Sequence, residues 1–161
     1  MNDFKIIQTL FSSGEMFDIH RKWKNFPLKK LDDYKKELKN KSGIYVIESN
    51  SYGILYIGKA KSIRGRLTSH LKATEGKEKS PAWKQFFEYF KSNLRAYYLV
   101  TDTLFSENSG ENGRQIIERA LQMKYAPLFD QIFPTRQRKK LNNFEERIKS
   151  LKHSKYENGK K

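Results

Sequence analysis

The sequence predicts an α+β domain in which a small antiparallel sheet is flanked by helices. Two runs rich in β-branched and aromatic residues, Gly43 to Ser49 and Ile54 to Ala60, surround the turn residues Asn50, Ser51 and Gly53. Leu94 to Val100 is a third such run, and apolar stripes at helical spacing lie between and around the three. A chain of 161 residues that is 37% hydrophobic and 14% aromatic suits one core with short appended arms.

Taken in order, Phe4, Ile7 and Phe11 share one helical face behind Asp3 as a cap, which predicts a helix over residues 3–11. Phe17, Trp23 and Phe26 follow without a clear period, broken by Gly14 and Pro27, until Leu31, Tyr34 and Leu38 resume helical spacing. Residues 1–41 thus read as a helical N-terminal arm packed on the domain. The next two runs form a hairpin. With Asn50 and Ser51 as its turn, Tyr45 lies opposite Tyr56, and any even change of register keeps both rings on one face.

Ser62 can cap a helix with Ile63, Leu67 and Leu71 as its stripe, which sets Arg66 and His70 along one half-buried edge. Ser80-Pro81 starts a second helix, and Trp83, Phe86, Phe87 and Phe90 at i, i+3, i+4 and i+7 form its core face. After the third strand, residues 112–125 read as a helix carrying Ile116, Ile117, Ala120 and Leu121 inward and ended by Pro127. The core is expected over 42–133. A basic C-terminal tail follows over 134–161, where Phe144, Ile148 and Leu151 offer one docked helix.

Thirty-three Lys and Arg against eighteen Asp and Glu leave a formal charge of +15, a field that draws polyanions. The tail alone holds ten cations and three acids, a net of +7. No run of about 18 apolar residues occurs and Met1 to Leu10 lacks a basic leader, so a soluble, cytoplasmic protein is expected rather than a membrane-bound or exported one. The absence of cysteine excludes disulfides, thiolate metal sites and cysteine nucleophiles.

Gly43-Ile44-Tyr45, then Tyr56-Ile57-Gly58 after ten intervening residues, then Lys59-Ala60-Lys61, Arg66 and a later helical Glu118 resemble the GIY-YIG nuclease superfamily. The resemblance covers Ser42 to Asp130 and leaves both arms outside it. It implies a three-stranded antiparallel sheet flanked by helices, and hydrolysis of DNA phosphodiesters to 5′-phosphate and 3′-hydroxyl ends. Such a reaction needs an activated water, neutralised charge at the phosphate and help for the departing oxygen.

By the resemblance, Glu118 is the metal ligand, and one carboxylate with waters and a phosphate oxygen suits Mg²⁺, with Mn²⁺ as a substitute. Periodicity alone would make Glu118 a surface residue paired with Arg114. Arg66 stabilises charge on the phosphoryl oxygens through its planar guanidinium, Arg64 being its rival by periodicity. His70 matches a family position held by His or Tyr, where it would shuttle a proton or bind phosphate, and otherwise reads as a satisfied helix-edge residue. Tyr45 and Tyr56 position or deprotonate the water, Tyr45 being preferred as base, although a phenol needs its pKa lowered for that work. Gly58 would admit a close approach of backbone to a helix or phosphate.

Lys59, Lys61 and Arg64 are expected contacts to the DNA backbone, as are Arg136, Arg138, Lys139 and Lys140 of the tail. One departure stands out: Pro127-Leu128-Phe129-Asp130 carries aspartate where many members have asparagine, which can donate as well as accept. Duplex DNA is the expected partner, with monomer and dimer both open. No zinc module or second DNA-binding domain is read, which favours a compact, sequence-specific restriction-type or mobile-element enzyme. The alternatives are a structure-selective DNA-repair nuclease and a catalytically inert DNA-binding protein.

Overall fold

The computed structural model describes residues 18–105, 110–133 and 139–157, with single positions 5, 8, 9, 12 and 14 before them and side chains up to 151. The helix expected over 3–11 falls mostly outside the described residues, as do Arg136 and Arg138. Four strands form one antiparallel sheet: β1 (Lys24–Pro27), β2 (Gly43–Ser49), β3 (Gly53–Ala60) and β4 (Leu94–Val100), in the order β1-β4-β2-β3. The described helices are α1 (Ile19–Lys22), α2 (Leu31–Tyr34), α3 (Ile63–Thr74), α4 (Pro81–Tyr89), α5 (Gly110–Tyr125), α6 (Leu128–Ile132) and α7 (Phe144–Glu157).

The expected three strands are therefore four. β1 pairs with β4 through Phe26 opposite Ala96, and it is too short to display an alternation in sequence. Its Pro27 donates no hydrogen bond, which an edge strand tolerates and a central one does not.

Each face of the sheet is covered, which is why β2 is buried almost throughout. On one face Tyr45, Ile47, Ala96 and Tyr98 join Phe26, Leu67, Phe86 and Phe87 in the larger core. On the other, Ile44, Val46, Ile57 and Tyr97 meet Ile117 and Leu121 of α5 together with Ile19 and Trp23. The segment before β2 thus contributes to both layers.

The hairpin register differs from expectation by an even number. Three residues, Asn50 to Tyr52, form the turn, since Ser49 pairs with Gly53, and a bulge shifts the ladder again between Ile47 and Glu48. Two single shifts restore parity. Tyr45 ends opposite Gly58 and Ile47 opposite Tyr56, so the two tyrosines share a face as diagonal rather than direct neighbours.

α3 starts where expected, its Ser62 hydroxyl accepting from the Gly65 backbone N–H at 3.1 Å. On α5 the inward face is Gly113, Arg114, Ile117 and Leu121. Ile116, expected inside, is 50% exposed, and Ala120 is half-buried. Positions 113, 117 and 121 form one i, i+4, i+8 row, whereas 116 lies about 100° round the helix from 117.

The tail docks as its stripe suggests. Phe144 and Ile148 of α7 are buried against the larger core, with Leu151 partly buried beside them. Gln85 of α4 grips the chain just before α7, donating to the Leu141 carbonyl at 2.7 Å and accepting from the Leu141 N–H at 2.8 Å.

Candidate active site

A cleft of about 710 Å³ opens beside the hairpin where α3, α4, α5 and α6 converge. Tyr45, Tyr56, Lys59, Arg66 and Glu118 all line it, and its wall also holds residues that the sequence reading gave no site role, among them Ser69, Glu78, Trp83 and Phe129. Asp130, the departure from the family pattern, also lines it. His70 is fully buried beneath, and Arg64 is absent from the lining.

The hairpin sets the two phenols. Their rings lie nearly parallel at 19°, with centroids 6.0 Å apart. Tyr45 occupies the space over Gly58, where a Cβ would stand 2.5 Å from the tyrosine hydroxyl. The absent side chain therefore makes room for Tyr45, rather than for a helix or phosphate as the sequence suggested.

The half-buried helix edge expected for Arg66 and His70 divides in two. Arg66 is exposed, whereas His70 has no accessible surface, because four residues turn the helix by about 40° beyond a full circle and carry His70 under Trp83. The imidazole stacks on that indole at 3.9 Å and shares a 2.9 Å hydrogen bond between its Nε2 and the Tyr45 hydroxyl. Its Nδ1 is buried without a hydrogen-bond partner among the described residues.

Burial pushes the Tyr45 phenol well above its ordinary value, and Tyr56 adds to the rise while Arg66 opposes it. Burial likewise lifts Tyr56, to about 12, with the charges of Glu118 and Asp130 adding. Both phenols are protonated at neutral pH in the protein alone. Burial and the nearby Arg66 hold His70 well below its ordinary value, so it is neutral. The preference for Tyr45 as base consequently meets a phenol made less acidic by its surroundings.

Glu118 is half-buried and its carboxyl is raised, first by burial and further by Asp130 and Glu111, while Lys59 opposes through its charge and its backbone N–H. Asp130 is exposed as a residue, yet partial burial of its carboxyl raises it too. Neither carboxylate forms an ion pair among the described residues. Arg114, the partner that periodicity offered Glu118, instead donates to Glu111 at 3.1 Å and to the Ser42 hydroxyl at 3.4 Å. Lys59 also bonds Glu111.

This donor set fits a hard divalent cation. Glu118 and Asp130 both line the cleft with hard oxygen donors, while no group of three His, Cys, Asp or Glu that could hold a metal ion by itself occurs among the described residues. An ion held here keeps much of its water, as Mg²⁺ does. Of the tail cations, Lys139 and Lys140 are exposed, and Lys140 lines another groove of about 1060 Å³ between α4 and α7, which shares Glu78 with the cleft. No described helix is long and apolar enough to cross a membrane.

Residues 41–99 match a family model described as the GIY-YIG catalytic domain, which bears out the resemblance carried by the two tripeptides. The matched stretch holds both phenols, Arg66 and His70, while Glu118 and Asp130 lie beyond it. Over 43 residues the chain is 51% identical to UvrABC system protein C of Fervidobacterium nodosum. That stretch covers 27% of this chain and 8% of the relative's length.

Proposed function

We propose that this chain is a divalent-metal-dependent endonuclease that hydrolyses phosphodiesters of duplex DNA to 5′-phosphate and 3′-hydroxyl ends. The observation that supports it most is the convergence on one cleft of Tyr45, Tyr56, Arg66 and Glu118, drawn from a hairpin and two separate helices. In an inert binding protein, carboxylates facing a bound phosphate would only repel it.

In this reading Arg66, exposed at the cleft, clamps the phosphoryl oxygens with two parallel N–H donors. Tyr56 orients the attacking water by its hydroxyl. Tyr45 braces Tyr56, held in turn by His70, whose neutral ring fixes the Tyr45 hydroxyl through the hydrogen bond at Nε2. Glu118, with Asp130 beside it in the lining, holds the metal ion. A bound Mg²⁺ would neutralise phosphate charge and make a coordinated water more acidic. Trp83 and Phe129 shield the hydroxyls from bulk water. Lys59, Lys61, Arg64 and the tail cations contact the DNA backbone and carry no sequence information themselves.

For the biological role, a sequence-specific restriction-type or mobile-element enzyme remains the first reading, its specificity supplied by residues outside the matched domain. A structure-selective repair nuclease is the second, favoured by the stretch shared with UvrABC system protein C. Purified protein incubated with supercoiled plasmid and with defined branched duplexes, with Mg²⁺ or chelator, separates the two. Cuts at fixed plasmid sequences support the first, and cuts only at branches support the second. Absence of Mg²⁺-dependent cutting on every substrate overturns the nuclease reading.

A further inference from the structure

Beside the cleft lies a second cavity of about 430 Å³, lined by Lys59, Lys61, Ser62, Arg66, Ser69 and Glu111 together with Ala60 and Gly65. It shares Lys59, Arg66 and Ser69 with the cleft, so the two concavities adjoin. Three cations and two hydroxyls face one acid. Lys61 and Arg66 form no ion pair among the described residues, while Lys59 is bound to Glu111.

Glu111 is not a loose surface acid. One carboxylate oxygen takes the Lys59 ammonium, and the other accepts from Arg114 at 3.1 Å. Arg114 is itself 8% exposed and donates to Ser42, whose N–H and hydroxyl both bond Asp102 at 3.0 Å. The two cations hold the Glu111 carboxyl below its ordinary range, Lys59 contributing most. An anchored anion thus occupies the rim of an otherwise cationic hollow.

We propose that this cavity is a subsite for the phosphate next to the scissile one on the same DNA strand, and that Glu111 occupies Lys59 until that phosphate displaces it. The inference rests on the nuclease reading of the adjoining cleft. Because the two concavities share Arg66, a strand held there by one phosphate can lay its neighbouring phosphate in the second cavity. Lys61 and the released Lys59 supply the charge, and Ser62 and Ser69 supply hydroxyl donors. Because Arg114 retains Glu111 after displacement, the acid stays close and weakens every interaction with the DNA backbone made there. Glu111 therefore lowers DNA affinity in exchange for a neutralised lysine in the free protein.

The test is binding of a short fluorescent duplex to the full chain in chelator, followed across salt concentration. Glu111→Gln keeps an acceptor for Arg114 but frees Lys59, and is expected to bind several-fold tighter, because no displaced acid is left beside the bound phosphate. Lys61→Gln is expected to bind more weakly and to flatten the log-log salt slope by about 0.9, the increment for one neutralised phosphate. A Glu111→Gln protein that retains its thermal transition yet binds with unchanged or lower affinity overturns the displacement by phosphate. Should that variant not fold, Lys61→Gln at its exposed position decides: an unchanged slope overturns the subsite. A wild-type chain that binds no duplex even at low salt overturns the nuclease reading itself, and the subsite with it.

Discussion

Tyr45 lies across the hairpin from Gly58, and its ring fills the volume that any side chain at 58 would need. Gly58→Ala must therefore swing the tyrosine away from its 2.9 Å bond to His70 or spread the two strands. A loss of about 1–3 kcal/mol is expected, the usual cost of overpacking a core, together with loss of cleavage. Urea denaturation checks the first effect and a plasmid assay the second; an alanine variant as stable and active as wild type would contradict this packing.

Glu118→Gln should abolish cleavage while fold and DNA affinity persist, because it removes a carboxylate charge without removing volume. It should also raise stability near neutral pH. The folded carboxyl is raised by burial, so its contribution to stability is present below the unfolded pKa and is lost as pH rises through the folded one. The glutamine variant lacks that loss, and its advantage should vanish in acid. Thermal melts across pH read this sign, and a variant less stable than wild type at pH 7 would contradict the burial of Glu118.

Arg66→Lys should lower the cleavage rate by roughly a hundredfold or more, the scale of losing one preorganised donor at a developing oxyanion. Its exposed position predicts an unchanged melting temperature. Arg64→Lys is the control: greater damage there than at Arg66 would assign the phosphate clamp to the wrong side of α3.

His70 titrates with the opposite sign to Glu118. Burial depresses its folded pKa, so its contribution to stability is present above the unfolded value of about 6.5 and is lost as pH falls through the folded one. His70→Gln should flatten the acid limb of the stability profile in that window. An identical pH dependence in both proteins would show that the imidazole is not held neutral.

Deleting residues 134–161 should weaken DNA binding and lower the salt slope by about 0.9 for each phosphate that the shortened chain no longer neutralises. Docking of α7 adds a second cost, because Phe144 and Ile148 are buried in the larger core and Gln85 loses both bonds to Leu141. Substituting Lys139 and Lys140 by glutamine should reduce the slope without the loss of stability. Full-chain melts beside salt titrations separate the two effects, and a deletion as stable as wild type would contradict the docking.

The sequence by itself determined the hairpin, the common face of Tyr45 and Tyr56, the aromatic face of Phe86, Phe87 and Phe90, the cap at Ser62 and the docked stripe of the tail. These follow from periods of two and 3.6 and from local hydrogen-bonding chemistry, all readable within a few residues. The tripeptides pointed to the catalytic domain, and with Arg66 and the later Glu118 they named the chemical groups of the cleft, while wall residues such as Ser69, Glu78, Trp83 and Phe129 were given no site role. Only the tertiary structure decided the fourth strand, whose four residues show no alternation until β4 pairs with them, and the turn and bulge whose two shifts cancel. It also decided that His70 goes under while Arg66 stays out, that Ile116 faces solvent, and that Glu111 rather than Glu118 takes Arg114 and Lys59. Periodicity reports which face of an element is apolar. Which distant residue meets that face depends on pairings such as Gln85 with Leu141 or Ser42 with Asp102, between segments far apart along the chain, and these exist only once the sheet and its helices have packed.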